Sequence, residues 1–214
     1  MTIHFTSDTH FFHRKMLDFR GFTDIDTMHR AMITAWNSVV QPSDTVYHLG
    51  DLSFARPADT AEVLWHLNGQ IRLVPGNHDD RKQLGQLAEL IYTNSGMSLK
   101  TWERRPKFVV ENQLTEIKLR DAKDVMHHVV LCHFPLLVWN RAHYGAIHLH
   151  GHSHGNCRYP DNNKRFDVGV DAVGYVPLSA DYILQWSLAR GFTPHDQHEE
   201  KPHVEHTDHV QDAA

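Results

Sequence analysis

Thr45-Val46-Tyr47-His48-Leu49-Gly50-Asp51 sets the pattern for the whole chain: a short, β-rich apolar run closed by a glycine and a carboxylate. Ile3-His4-Phe5-Thr6 runs into Ser7-Asp8-Thr9-His10 in the same way, and Ile71-Arg72-Leu73-Val74 runs into Gly76-Asn77-His78-Asp79. Two later runs repeat it, Val129-Val130-Leu131 before Cys132-His133 and Ala146-Ile147-His148-Leu149 before Gly151-His152-Ser153-His154. Length, β-branched content and the punctuation that follows make these runs strands. Helices should fall between them, at about Asp26 to Val40 (stopped by Gln41-Pro42), Pro57 to Leu67 and Arg81 to Leu90. The βαβαβ rhythm predicts a largely parallel half-sheet. Ligands in open α/β sheets collect beyond the C-terminal ends of strands, so five strand ends should bring Asp, Asn and His side chains to one rim.

In the second half the rhythm changes. Lys107–Glu111 and Gln113–Arg120 read as a hairpin around Glu111-Asn112-Gln113, followed by the strand that ends at His133. Further strands are expected at Ile147 and over Arg165–Val170, and Ser179 should cap a last helix reaching about Arg190, with Gly191 just beyond it. Arg165 and Asp171 read as residues that lock these last strands together. The fold class is therefore α/β, a two-sheet mixed β-sandwich flanked by helices. At 214 residues and 24.7 kDa, one domain over residues 1–193 is expected, followed by a tail over 194–214.

That tail is acidic and rich in histidine. It holds six acids (Asp196, Glu199, Glu200, Glu205, Asp208, Asp212) against the single base Lys201, so the chain's formal charge of −5 belongs to the tail and the body is neutral. A neutral body carries no basic stripe for extended nucleic acid, and divalent cations bound to it would favour an anionic substrate. Two cysteines, Cys132 and Cys157, give no disulfide framework. Met1-Thr2 leads straight into the first strand without a leader-like segment, and no apolar run is long enough for a membrane span, so a cytoplasmic protein without membrane partners is expected.

Two carboxylates, an amide oxygen and several imidazoles form the mixed N/O set that suits a pair of borderline divalent metals. In order and sequence, Asp8-x-His10, Gly50-Asp51, Gly76-Asn77-His78-Asp79, His133 and Gly151-His152-x-His154 resemble the five motif blocks of the calcineurin-like metallophosphoesterases. The resemblance spans roughly residues 3–190. It implies one metal held by Asp8, His10, Asp51 and His154, and a second held by Asp51, Asn77, His133 and His152, with Asp51 shared. It implies two divalent ions, manganese first, with zinc, iron, nickel or cobalt as alternatives. Hydrolysis of a small phosphodiester by a metal-bridging hydroxide follows from it, with phosphomonoesterase, nuclease or a non-catalytic interaction module of the same fold as alternatives. His78 matches a position that touches substrate without ligating metal, and Asp79 one that could orient His78. Phe54 stands where purple acid phosphatases carry a tyrosine ligand, and Ala55-Arg56-Pro57 departs from the protein phosphatase pattern. Those departures leave the compact bacterial or phage phosphoesterases as the nearest resemblance. Substrate contacts are expected from His13 and from Asn140, Arg141 and His143 in the segment joining the fourth and fifth blocks.

Overall fold

Nine strands divide into two sheets in a computed structural model that describes residues 1–104, 106–159 and 163–193. The first ninety residues alternate as expected: β1 (Ile3–Thr6), α1 (Lys15–Arg20), α2 (Ile25–Val39), β2 (Thr45–His48), α3 (Pro57–His66), β3 (Gln70–Leu73) and α4 (Arg81–Asn94). Asp24 caps α2 by accepting from Thr27 N at 2.7 Å, and Met28, Met32 and Trp36 recur along its buried face. α4 outlasts the expected end because Leu84, Leu87 and Ile91 continue its buried stripe. The short α1 is an addition to the expected elements, with no apolar periodicity to announce it.

After α5 (Leu99–Arg104), β4 (Phe108–Val110) joins β3 in parallel, which corrects the expected hairpin. β5 (Leu114–Arg120) instead pairs antiparallel with β6 (Met126–Cys132). The reason is local: Asp121 accepts from Lys123 N and Val125 N, and Asp124 takes a left-handed φ of 67°, so the tight turn forms at 121–125. Glu111 is occupied with an ion pair to Arg72 on β3. β7 (Ile147–His150) and β8 (Arg165–Asp167) follow in parallel, then α6 (Val170–Val173), β9 (Leu178–Ser179) and α7 (Ala180–Leu188). β8 is shorter than expected because Gly169 turns the chain into α6. Ser179 does cap α7, through Tyr182 N, but the helix stops at Ala189 rather than against Gly191.

Strand order is β4-β3-β2-β1-β9 in one sheet and β5-β6-β7-β8 in the other. Helices α2, α3 and α4 cover the first sheet through Met28, Trp36, Val46, Leu64 and Ile71. The two sheets face each other across Phe5, Leu49 and Val74 on one side and Val129, Leu131, Ile147 and Leu149 on the other. Alternation along β6 sends Val130 to the outer face, where it packs with Trp139, Ala142 and Ala146. Among the described residues no helix is long and apolar enough to cross a membrane. The tail over 194–214 lies outside the described residues.

Candidate metal centre

The C-terminal ends of β1, β2, β3, β6 and β7 meet at one rim, and two cross-sheet bonds hold the sheets together there. His133 Nδ1 pairs with Leu49 O at 2.7 Å, and His152 N donates to both carboxylate oxygens of Asp8, at 3.1 and 3.0 Å. Asp8, His10, Asp51, His152 and His154 all have left-handed backbone, with φ of 58°, 47°, 57°, 66° and 47°. Each costs a non-glycine residue about 1 kcal/mol or more. The paired candidate ligands Asp8 and His10, and His152 and His154, are each separated by one residue, and Thr9 between the first two turns its hydroxyl away, to His48 Nε2 and Leu52 O at 2.9 Å. Glycine is required beside them: a Cβ on Gly76 would run into the Asp51 carboxylate, and one on Gly151 into Ser7 and Asp8.

Two groups of donors result. Asp8, His10 and His154 form one, and Asp8, Asp51 and His133 the other, with the ligand atoms of each group within 4.8 Å of one another. Asp51 Oδ2 stands 3.7 Å from His10 Nε2 and 3.5 Å from His133 Nε2. Its other oxygen accepts from His78 N at 3.0 Å. Asn77 Oδ1 lies 2.9 Å from His133 Nε2, and the His152 ring stands 5.1 Å from the His133 ring. All seven sequence-predicted metal ligands therefore gather at the rim.

Electrostatics follow from burial. Asp8 is fully buried, which raises its carboxyl to about 7 despite the Ser7 hydroxyl and His154 beside it. Burial, reinforced by His154 and Arg20, drives His10 down to about 2, and burial also lowers His133. Both ring nitrogens of His10 are buried without a hydrogen-bond partner. His154 moves the other way, because its Nδ1 bonds Asp171 Oδ2 at 2.6 Å.

Asp171 and Arg20 also reach the candidate centre, and the sequence reading did not place them there. Asp171 does not lock strands; it holds His154 and accepts from Arg20 Nε and Nη2 at 2.7 and 2.8 Å. Arg20 also donates to the carbonyls of Asp8 and Thr9, at 2.7 and 2.9 Å. Burial would raise Asp171, but these bonds to His154 and Arg20 outweigh it and leave the carboxyl below its ordinary range. The Asp171 signal lay in its acidic side chain just after Gly169; Arg20 gave none. Arg165 Nη1 donates to Leu136 O at 3.1 Å, in the segment after β6 and not in another of the last strands.

The remaining expectations divide. His78 is exposed at the rim, its ring 6.0 Å from that of His10. Asp79 is not turned to His78: its carboxylate accepts from Asp51 N, Leu52 N and Gly76 N at 2.7, 3.1 and 2.8 Å, tying the β2 and β3 loops together. Burial raises its pKa. His13 is at the rim, stacked on Phe54 at 3.9 Å. Asn140 and Arg141 are not. Asn140 donates to Glu116 at 3.0 Å, and Arg141 Nη1 is 3.4 Å from His128 Nε2, on the outer face of the second sheet. His128 precedes His133 by five strand positions, or roughly 16 Å. His143 sits in the same segment against Tyr144, ring centroids 4.1 Å apart. The segment folds back along β6 because Trp139 and Ala142 are buried against Val130.

No protein-family model matches the chain. An uncharacterized protein of Methanocaldococcus jannaschii is 29% identical over 192 residues, covering 86% of this chain and 89% of the relative. The gene 66 protein of Mycobacterium phage D29 is 31% identical over 186 residues, covering 78% of this chain and 87% of the relative. A protein of unknown function from Aquifex aeolicus shares the fold, with a TM-score of 0.51 at 18% identity over 83% of this chain and 95% of that one. The chain belongs to the family of the phage D29 gene 66 protein.

Proposed function

We propose that this protein is a dinuclear metal-dependent phosphoesterase that favours phosphodiesters, in keeping with its resemblance to the calcineurin-like metallophosphoesterases. The observation that carries the reading is the position of Asp51 Oδ2, between His10 Nε2 at 3.7 Å and His133 Nε2 at 3.5 Å. One carboxylate oxygen between imidazoles from the two sheets is the arrangement a shared ligand needs. His10 supports it further. An unpaired buried polar group costs about 1–3 kcal/mol, and a cation on the imidazole would remove that penalty. With Nδ1–H of neutral His133 given to Leu49 O, its Nε2 lone pair faces Asn77 Oδ1 and Asp51 Oδ2. Three electron-rich atoms turned together fit a cation.

Asp8, His10 and His154 would hold one ion, and Asn77, His133 and His152 the other, with Asp51 common to both. The mixed N/O set suits manganese, zinc, iron, cobalt or nickel. Bound there, the ions supply Lewis acidity toward a phosphoryl oxygen and lower the pKa of water from about 15.7 toward 7. Asp171 fixes the His154 tautomer by occupying Nδ1, as Leu49 O does for His133, leaving each Nε2 as a ligand atom. His78 acts on the substrate, steadying charge on the phosphoryl group or giving its proton to the departing oxygen. Asp79 positions the Asp51 and Gly76 backbone.

The test is reconstitution with manganese, zinc, iron, cobalt and nickel in turn, followed by turnover of bis-p-nitrophenyl phosphate and p-nitrophenyl phosphate. The diester should be the better substrate. Turnover of neither ester with any of the metals would overturn the proposal.

A further inference from the structure

Three large aromatic side chains stand open to solvent around this rim: Phe19, Phe54 and Phe134, at 59%, 41% and 43% exposure. Isolated exposed apolar residues need no explanation. These three differ because each touches an imidazole of the centre. Phe19 lies 5.8 Å from the His154 ring, Phe54 lies 4.9 Å from His78, and Phe134 lies 5.1 Å from His133 and 4.8 Å from His152.

Their ring geometry separates them. Phe54 already has a parallel partner, His13, at 3.9 Å and 16°. Phe134 has two ring contacts among the described residues, at 76° and 62°, so both are edge-on and neither is a stacking partner. A phenylalanine so placed, beside the imidazoles of one proposed ion, offers a π-face next to the phosphoryl position. Stacking of a base on an aromatic side chain is worth about 1–3 kcal/mol.

We infer that Phe134 is the stacking platform for a planar aromatic group on the substrate, so that the preferred substrate is a small phosphodiester with an aromatic arm, a nucleobase or an aryl ring. The inference rests on the phosphoesterase reading and names the substrate class of the same site. The neutral body fits a small ester better than a polymer. Phe54, stacked on His13, lies instead beside His78, with ring centroids 4.9 Å apart.

The test holds the leaving group constant. Thymidine 5′-(p-nitrophenyl phosphate), phenyl p-nitrophenyl phosphate and ethyl p-nitrophenyl phosphate all release p-nitrophenol, and differ in the retained arm. The metal-loaded protein should prefer the thymidine or phenyl ester to the ethyl ester by at least about tenfold in kcat/KM, consistent with one stacking contact. Phe134→Leu should bring that ratio below about twofold, and Phe134→Tyr should keep it, with melting temperature and metal content showing that both variants fold. Preference for thymidine alone identifies a base, and equal preference for phenyl identifies any aromatic ring. Calorimetry gives a second readout, with thymidine 5′-monophosphate binding more tightly than ethyl phosphate and losing that advantage in Phe134→Leu. Equal turnover of all three esters by the unsubstituted protein, or a preference that survives Phe134→Leu, overturns the inference and leaves the phosphoesterase reading standing. If no ester is turned over, that reading fails, and equal calorimetric affinity for the two monoesters removes the aromatic site as well.

Discussion

Two regions of this chain are rich in side chains that could bind a metal or a phosphate, yet only one of them gathers such groups into a candidate centre. At the rim, Asp8 and His10 are buried, and His10 has no hydrogen-bond partner at either ring nitrogen. On the outer face of the second sheet, Asn140 and Arg141 are exposed and already engaged by Glu116 and His128. Backbone strain alone does not separate the regions, since Arg141 has a φ of 60°, close to that of Asp8. Burial combined with unmet bonding capacity does. A desolvated, unpartnered ligand atom has free energy to gain from a cation, whereas an exposed and paired one has little.

The contrast sharpens most at His78. His78→Ala should keep both metals and lose about 10²–10⁴-fold in turnover, with most of the loss recovered for esters whose leaving groups need no proton. Metal loss, or an unchanged rate for ordinary esters, would remove His78 from the reaction. Next comes Asp171. Asp171→Asn should weaken one of the two ions by about 10–100-fold, the usual effect of removing a carboxylate behind a ligating histidine, while the other ion keeps its affinity. Calorimetric titration resolves the two sites, and equal weakening of both would mean that the damage is general.

Acid stability extends the comparison to the strands behind the rim. Burial lowers His48 and His148 to about 3 in the folded protein, against an unfolded value near 6.5. Between those values the unfolded chain binds more protons, so stability contributed by these residues is present above pH 6.5 and is lost as pH falls below it. At pH 5 the loss is about 2 kcal/mol for each residue. Denaturant midpoints of the metal-free protein should therefore fall between pH 6.5 and 5, and the slope should flatten in His148→Gln if that variant folds. The smallest effect is expected on the outer face: Asn140→Ala and Arg141→Ala should change kcat/KM by less than about twofold, and a larger loss would return that segment to the substrate path.

Much of this was legible in the sequence, and the reasons are physical. Strand ends announce themselves, because a β-rich run closed by Gly-Asp or Gly-His is local information. The gathering of Asp8, Asp51, His133 and His154 follows from parallel strands sharing an edge. Contacts between elements distant in sequence were not legible. Arg20 and Asp171 are 151 positions apart, and nothing local to α1 marks its arginine. The false hairpin at Glu111 arose because two adjacent β-rich runs look alike whether they pair with each other or with separate sheets. The path of 139–144 is not legible in its polar residues, because the burial of Trp139 and Ala142 against β6 decides where the segment lies.

Manganese titration followed by electron paramagnetic resonance tests the shared position of Asp51 most directly. With Asp51 bridging ions about 3.5–4 Å apart, two equivalents of manganese should bind and replace the six-line signal of an isolated ion with that of a spin-coupled pair, and Asp51→Ala should abolish the coupled signal. Two independent six-line signals in the unsubstituted protein, or a coupled pair that persists in Asp51→Ala, would contradict a centre built on that carboxylate.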